Sequence, residues 1–236
     1  MARNFNFDFD IHKKNSYMYF WTQEYMIATY EAAYMTAFNF KGKTILDVGV
    51  GRGRTFEIYK ALGIKDVVGI DVERKEVKYT PKQARKVGLN LKLVLDSPSN
   101  IGLQKIPDKS YEVIALMNIL FCLPDDESRF RIINEVKRIL KPRGVLIVLD
   151  MQRPSLMWLI STMFWKNWKF RSKKELIEMF KPLRLISYKP SNHFYSINII
   201  ADAVGKLFGP KVFYKLESLF RFLRIPGSTR SFVFKK

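Results

Sequence analysis

The residues with chemical potential cluster early in the chain. Asp47 is followed by Gly49, Gly51 and Gly53, and a second acid, Asp71, stands 22 residues beyond Gly49. Glycines permit a tight turn in which backbone approaches a ligand closely. A carboxylate beside such a turn repels a phosphate and attracts a cation. An acid at the end of the following strand can accept hydrogen bonds from both hydroxyls of a ribose. Together they suit a nucleoside that carries positive charge and no phosphate. The dinucleotide fingerprint G-x-G-x-x-G is not met, because Arg54 occupies its third glycine position. An ordinary turn between strand and helix would explain the glycines, but not a carboxylate in an otherwise apolar strand. Asp71 could also cap the helical run that follows it; the spacing favours the ribose.

These residues need a particular scaffold. Thr44 to Val48 reads as a buried strand, and Arg54 to Leu62 as a helix ended by Gly63. Asp66 to Asp71 is the second strand, with Val72 after it as an apolar face for a purine. A helix over Glu73 to Val87, a strand over Leu91 to Leu95 and a strand over Val113 to Met117 follow. Pro124 to Leu140 is an amphipathic helix with Asp125 and Asp126 at its positive end. Val145 to Asp150 is the fifth strand. Alternating strands and helices give an α/β, doubly wound sheet, with ligands at the carboxyl ends of its strands.

Asp47-Val48-Gly49-Val50-Gly51-Arg52-Gly53 resembles the first motif of the class I S-adenosylmethionine-dependent methyltransferases, of the type 11 kind. Tyr111-Glu112 stands where that family has Phe-Asp, and Leu140-Lys141-Pro142-Arg143-Gly144-Val145-Leu146-Ile147-Val148 matches its turn into the fifth strand. The likeness covers about residues 42–150. It implies S-adenosyl-L-methionine as cofactor and a seven-stranded, mostly parallel sheet whose last strand inserts antiparallel. Asp47, Gly49, Gly51 and Gly53 would hold the methionine moiety, Asp71 the ribose, and Val72, Asp96 and Ser97 the adenine. Asn118, at the end of the fourth strand, would line the methionine side. The family's N-terminal helices often lie over the cofactor, which makes Tyr19 and Tyr25 substrate-wall candidates. The implied reaction is in-line displacement at the sulfonium methyl, with a base needed only when the acceptor holds its proton tightly. No base stands out: His12 and His193 are isolated, and His193 is the better candidate for the substrate side. Cys122 reads as a small apolar residue. Asn118-Ile119-Leu120-Phe121 departs from the Asn-Pro-Pro-Tyr pattern of base-amino methyltransferases and disfavours that chemistry.

Composition sets the remaining bounds. The chain has 236 residues and a net charge of +19. Residues 1–150 carry 24 basic and 18 acidic side chains, or +6; residues 151–236 carry 17 and 4, or +13. The basic last third admits RNA or an anionic membrane surface as a contact. One cysteine excludes an internal disulfide and a cysteine-rich zinc site. The opening Met-Ala-Arg-Asn-Phe-Asn lacks a secretory apolar run, and Leu156 to Trp165 is too short to span a bilayer, so the cytoplasm is the expected location. A single domain is expected: a helical cap over residues 1–41, with Ser16 to Phe38 helical, a cofactor core over 42–150, and substrate-side helices with the last two strands over 151–236. Ser155 to Phe180 reads as helical, Leu183 to Tyr188 and Ser231 to Phe234 as strands, and Val204 to Leu223 as two basic amphipathic helices broken at Gly209-Pro210. The leading function is a methyltransferase for a small, apolar or acidic acceptor. The alternatives are an RNA methyltransferase and a non-catalytic interaction protein; a nicotinamide oxidoreductase is disfavoured by the glycine spacing and Asp47.

Overall fold

A computed structural model describes residues 17–96, 102–153, 155, 169–193 and 198–236, without the side chains of residues 17–22, 198–206, 210 and 214. Seven strands form one sheet: β1 (Thr44–Val48), β2 (Asp66–Asp71), β3 (Asn90–Leu95), β4 (Tyr111–Met117), β5 (Leu140–Met151), β6 (Arg184–Ser191) and β7 (Thr229–Lys235). Their order across the sheet is β3-β2-β1-β4-β5-β7-β6. Pairing is parallel from β3 through β5, and β7 runs antiparallel between β5 and β6. This is the doubly wound, mostly parallel sheet that the motifs imply. The chain steps outward from β1 to β3 and then returns to the other side of β1 as β4. That reversal leaves the crevice at the carboxyl ends of β1 and β4.

Period-two alternation assigns each strand residue to one of two cores. Ile45, Val113, Ala115, Ile147 and Val233 lie on one face, packed with Phe56, Tyr59 and Met26. Leu46, Val48, Ile114, Leu116, Val148 and Phe232 lie on the other, packed with Ile132, Ile133, Val136 and Phe180. Because both faces are covered, β1, β4 and β5 read as near-continuous apolar runs. Asp47 is the exception on β1, fully buried on the face of Tyr59.

The helices are α1 (Tyr17–Tyr34), α2 (Phe56–Ala61), α3 (Arg74–Val77), α4 (Thr80–Val87), α5 (Asp126–Ile139), α6 (Lys173–Met179) and α7 (Asn198–Phe222). The helix expected over Glu73 to Val87 is two helices. Pro81 sits in the first turn of α4, where its missing N–H is no loss, so it starts a helix and does not continue one. Asp125 caps α5 by accepting from the Ser128 N–H at 2.6 Å. The helix expected over Ser155 to Phe180 is confined, among the described residues, to α6. Arg171 instead bridges Gln152 in extended backbone, and Ser172 and Glu175 form a capping box that fixes where α6 begins. Residues 156–168 lie outside the described residues. In α7, Gly209 is non-helical at φ 73° and ψ −173°, the break expected before Pro210.

Candidate active site

A cavity of about 650 Å³ opens at the carboxyl ends of β1, β2 and β4. Its wall includes Tyr25, Gly49, Val50, Gly51, Thr55, Asp71, Val72, Met117, Asn118 and Ile119. The turn after β1 builds one side. Gly49 has φ +81°, donates its N–H to the Ile70 carbonyl at 2.8 Å, and would place a Cβ 2.9 Å from the Ile119 side chain. Gly51 has φ +49°, and a Cβ there would meet nothing within 4 Å. Gly53 faces away from the cavity: its missing Cβ makes room for the Phe56 ring, 2.6 Å from where that atom would stand.

Asp71 is held from both sides. Its Oδ2 accepts the Gly51 N–H at 2.7 Å and its Oδ1 accepts the Glu73 N–H at 2.9 Å. The cap of α3 is Glu73, which accepts from the Lys75 N–H, so Asp71 is not that helix's cap. Each Asp71 oxygen retains acceptor capacity beyond these amides. Val72, 40% exposed, stands in the wall. Arg52 grips Glu76 through two bonds of 2.6 and 2.9 Å beside it.

Two acceptor atoms at or under this wall lack partners. Asn118, at φ 57°, donates its N–H to the Leu149 carbonyl, while its buried Oδ1 has no hydrogen bond. Asp47 lies beneath the turn, outside the wall. Its Oδ2 accepts from Thr55 at 3.2 Å and from the Tyr59 hydroxyl at 2.9 Å, and its buried Oδ1 has no partner. Burial pushes the Asp47 carboxyl up to about 7, against the two hydroxyl bonds that lower it.

The other candidates lie elsewhere. Asp96 follows β3 outside the wall, its N–H on the Asp71 carbonyl and its Oδ2 beside Gly102. Ser97 and the side chain of Tyr19 lie outside the described residues. Tyr25 projects from α1 into the wall and is 2% exposed. His193 is buried away from the wall: its backbone N–H and Nδ1 both meet Glu217 Oε1, at 2.8 and 2.7 Å.

Three supporting residues escaped the sequence reading. Arg129 is fully buried in α5 and donates to the Leu120 and Leu123 carbonyls, pinning the turn that carries Ile119 to Pro124 into the wall. The signal was available, since Arg129 occupies the apolar stripe of Ile132, Ile133 and Val136. Asp150 accepts the Phe121 N–H at 3.3 Å on the same turn, and burial pushes its carboxyl up to about 7. Glu24 is buried against Glu217 and bonded to Arg221; burial first, then the neighbouring Glu217, pushes it up to about 8.

Residues 46–148 match the methyltransferase-domain family model. Over that segment the chain is similar to S-adenosylmethionine-dependent methyltransferases. That similarity points to S-adenosylmethionine as the cofactor. The 27-O-demethylrifamycin SV methyltransferase of Amycolatopsis mediterranei is 28% identical over 109 residues, 46% of this chain and 39% of that one. The ribosomal protein L11 methyltransferase of Dictyoglomus thermophilum is 32% identical over 107 residues, 45% of this chain and 32% of that one. The matched segment thus spans well under half the length of either relative. A solved S-adenosylmethionine-dependent methyltransferase from Archaeoglobus fulgidus superposes with TM-score 0.58 at 17% identity, covering 88% of this chain and 92% of that one, which shows the shared fold.

The residues around the cavity fit this cofactor. Space over Gly51 leaves a cradle that a side chain would fill, Asp71 presents acceptors for hydroxyls, the unpaired oxygen of Asn118 in the wall suits a donor, and the Asp47 carboxyl buried under the turn disfavours a phosphate above it.

Proposed function

We propose that the chain is an S-adenosylmethionine-dependent methyltransferase that acts on a small, apolar or acidic acceptor, within the single domain expected from its sequence. The observation that carries this reading is the cavity beside the β1 turn, walled by Tyr25, Val72, Leu103, Met117, Ile119 and Ile132, with Arg52, Arg54 and Arg131 as its unburied cations. Apolar walls with few polar groups are the usual character of a small-molecule site.

When bound, S-adenosylmethionine supplies a methyl group already activated on a sulfonium. The chain's residues then have three tasks. Asp71, fixed by two backbone amides, orients the ribose end. Asn118 and the turn at Gly49 and Gly51 receive the charged methionine end, with the Asp47 carboxyl buried beneath that turn. Tyr25 and Met117 exclude water and align the acceptor with the carbon–sulfur bond. Alignment of this kind supplies on the order of 7–11 kcal/mol. The bound cofactor would supply the methyl carbon for the acceptor's new bond, and its sulfur would keep the electron pair of the bond that breaks. Any proton on the acceptor would leave to solvent or to a carboxylate of the wall, where Glu73, Glu76 and Glu135 stand.

The test is transfer of labelled methyl to a panel of small carboxylates, phenols and apolar amines, with RNA as the competing acceptor. Label on a small compound supports the proposal. Label on RNA alone assigns the basic last third to substrate binding and replaces it. Cofactor binding with no transfer to either class favours the non-catalytic reading.

A further inference from the structure

We propose that the outer face of the second half of α7 docks on an anionic lipid surface. Beyond the break at Gly209, α7 packs inward through Phe213, Leu216, Glu217 and Phe220, at the spacing of one helix face. The opposite side should be polar in a helix that only covers a core. It is not. Val212, Leu219, Phe222 and Leu223 are 37%, 47%, 81% and 56% exposed, and Leu207 and Phe208 before the break are 75% and 62% exposed. Five of the eleven exposed large apolar side chains among the described residues therefore lie on this one element, and Leu223 directly follows it.

Charge selects the occupant. Lys211 and Lys215 are exposed on the same side, and Arg224 follows the helix end. From Leu207 to Arg224 the single acid is Glu217, which is buried and turned inward to His193. Nucleic acid offers phosphates for the lysines but no place for Leu219 and Phe222. An anionic bilayer offers both: headgroups for the cations and the acyl boundary for the apolar side chains. Among the described residues no helix is long and apolar enough to cross a membrane, so the contact is peripheral. The face is separate from the cofactor cavity, since none of these side chains lines it. It is nonetheless near: Arg221 bonds to Glu24, and the next residue on α1, Tyr25, is in the cavity wall.

The test is co-sedimentation of the full chain with vesicles of phosphatidylcholine alone and of phosphatidylcholine mixed with phosphatidylserine, at low and physiological salt. The proposal expects binding to the mixed vesicles only. It expects a loss of about tenfold or more for Lys211→Glu with Lys215→Glu, and separately for Leu219→Ser with Phe222→Ser. Cofactor affinity by calorimetry stays unchanged in both variants and confirms that they fold. Absence of binding to mixed vesicles at low salt overturns the proposal. So does binding that survives Leu219→Ser with Phe222→Ser, which would reduce the contact to charge alone. A wild-type dimer in light scattering that becomes a monomer in the apolar variant would assign the face to a second copy and also overturn it.

Discussion

The two sides of the sheet's carboxyl edge treat polar groups in opposite ways. After β1, β2 and β4, polar atoms face a cavity or lie just under it, and two of them, Asp47 Oδ1 and Asn118 Oδ1, have no partner. At the ends of β6 and β7 that meet α1, polar side chains close on one another. Ser191 meets Thr229 at 2.6 Å, Asn192 donates to Thr229 at 3.0 Å, Ser228 donates to the Asn192 carbonyl at 3.1 Å, and Thr29 of α1 meets Ser231 at 2.7 Å. Such a buried network specifies packing, although Arg230 Nε and Gln152 Oε1 beside it lack hydrogen-bond partners. Unpaired acceptors beside an open cavity carry a desolvation cost that a ligand can offset. The difference separates the side proposed to bind from the side that holds the sheet and α1 together.

The sharpest way to break the comparison is to fill the cradle. Gly51→Val adds a side chain to open cavity space at φ +49°, a conformation strained for a β-branched residue. Cofactor affinity in calorimetry is expected to fall by about 100-fold or more. Next in size is Asp71→Ala, which removes the proposed ribose acceptor and frees the Gly51 N–H. A loss of roughly 1–3 kcal/mol in cofactor binding is expected, and an unchanged affinity would show that the ribose lies elsewhere.

A pH series tests the buried carboxyls. Burial raises Asp47 from 3.8 to about 7, Asp150 from 3.8 to about 7, and Glu24 from 4.5 to about 8. Between those limits the folded chain holds protons that the unfolded chain has released, so stability falls as pH rises through this window. Denaturant midpoints measured from pH 5 to pH 9 should fall, and Asp47→Asn should make the decline shallower while weakening cofactor binding. The smallest effect belongs to the closed network. Thr29→Ala and Ser231→Ala each remove the same hydrogen bond and should cost roughly 1 kcal/mol of stability, less than additively together. Cofactor affinity should not change; if it does, the two sides of the edge are coupled.

The half built from local βα units was legible because its signals are local. Glycine positions, the spacing to Asp71 and the apolar runs of β1, β4 and β5 each lie within one unit of chain. The inward turn of Gly53 was not legible, since it depends on the packing of Phe56. Asp47 was readable as a carboxylate beside the turn, but its place under Thr55 and Tyr59 needs the helix angle of α2. The network at the ends of β6 and β7 joins residues 37 and 202 positions apart, which no window of sequence pairs. His193 looked isolated because its partner, Glu217, sits on α7, 24 residues away. The split of α3 from α4 was within reach, because Pro81 marks a helix start.

The central claim is that the crevice at the ends of β1, β2 and β4 receives a cationic nucleoside without phosphate. Calorimetric titration of the purified chain with S-adenosylmethionine and, separately, with NAD tests it most directly. S-adenosylmethionine is predicted to bind, more weakly in Asp71→Ala, with no heat from NAD. Binding of NAD in place of S-adenosylmethionine would contradict the account.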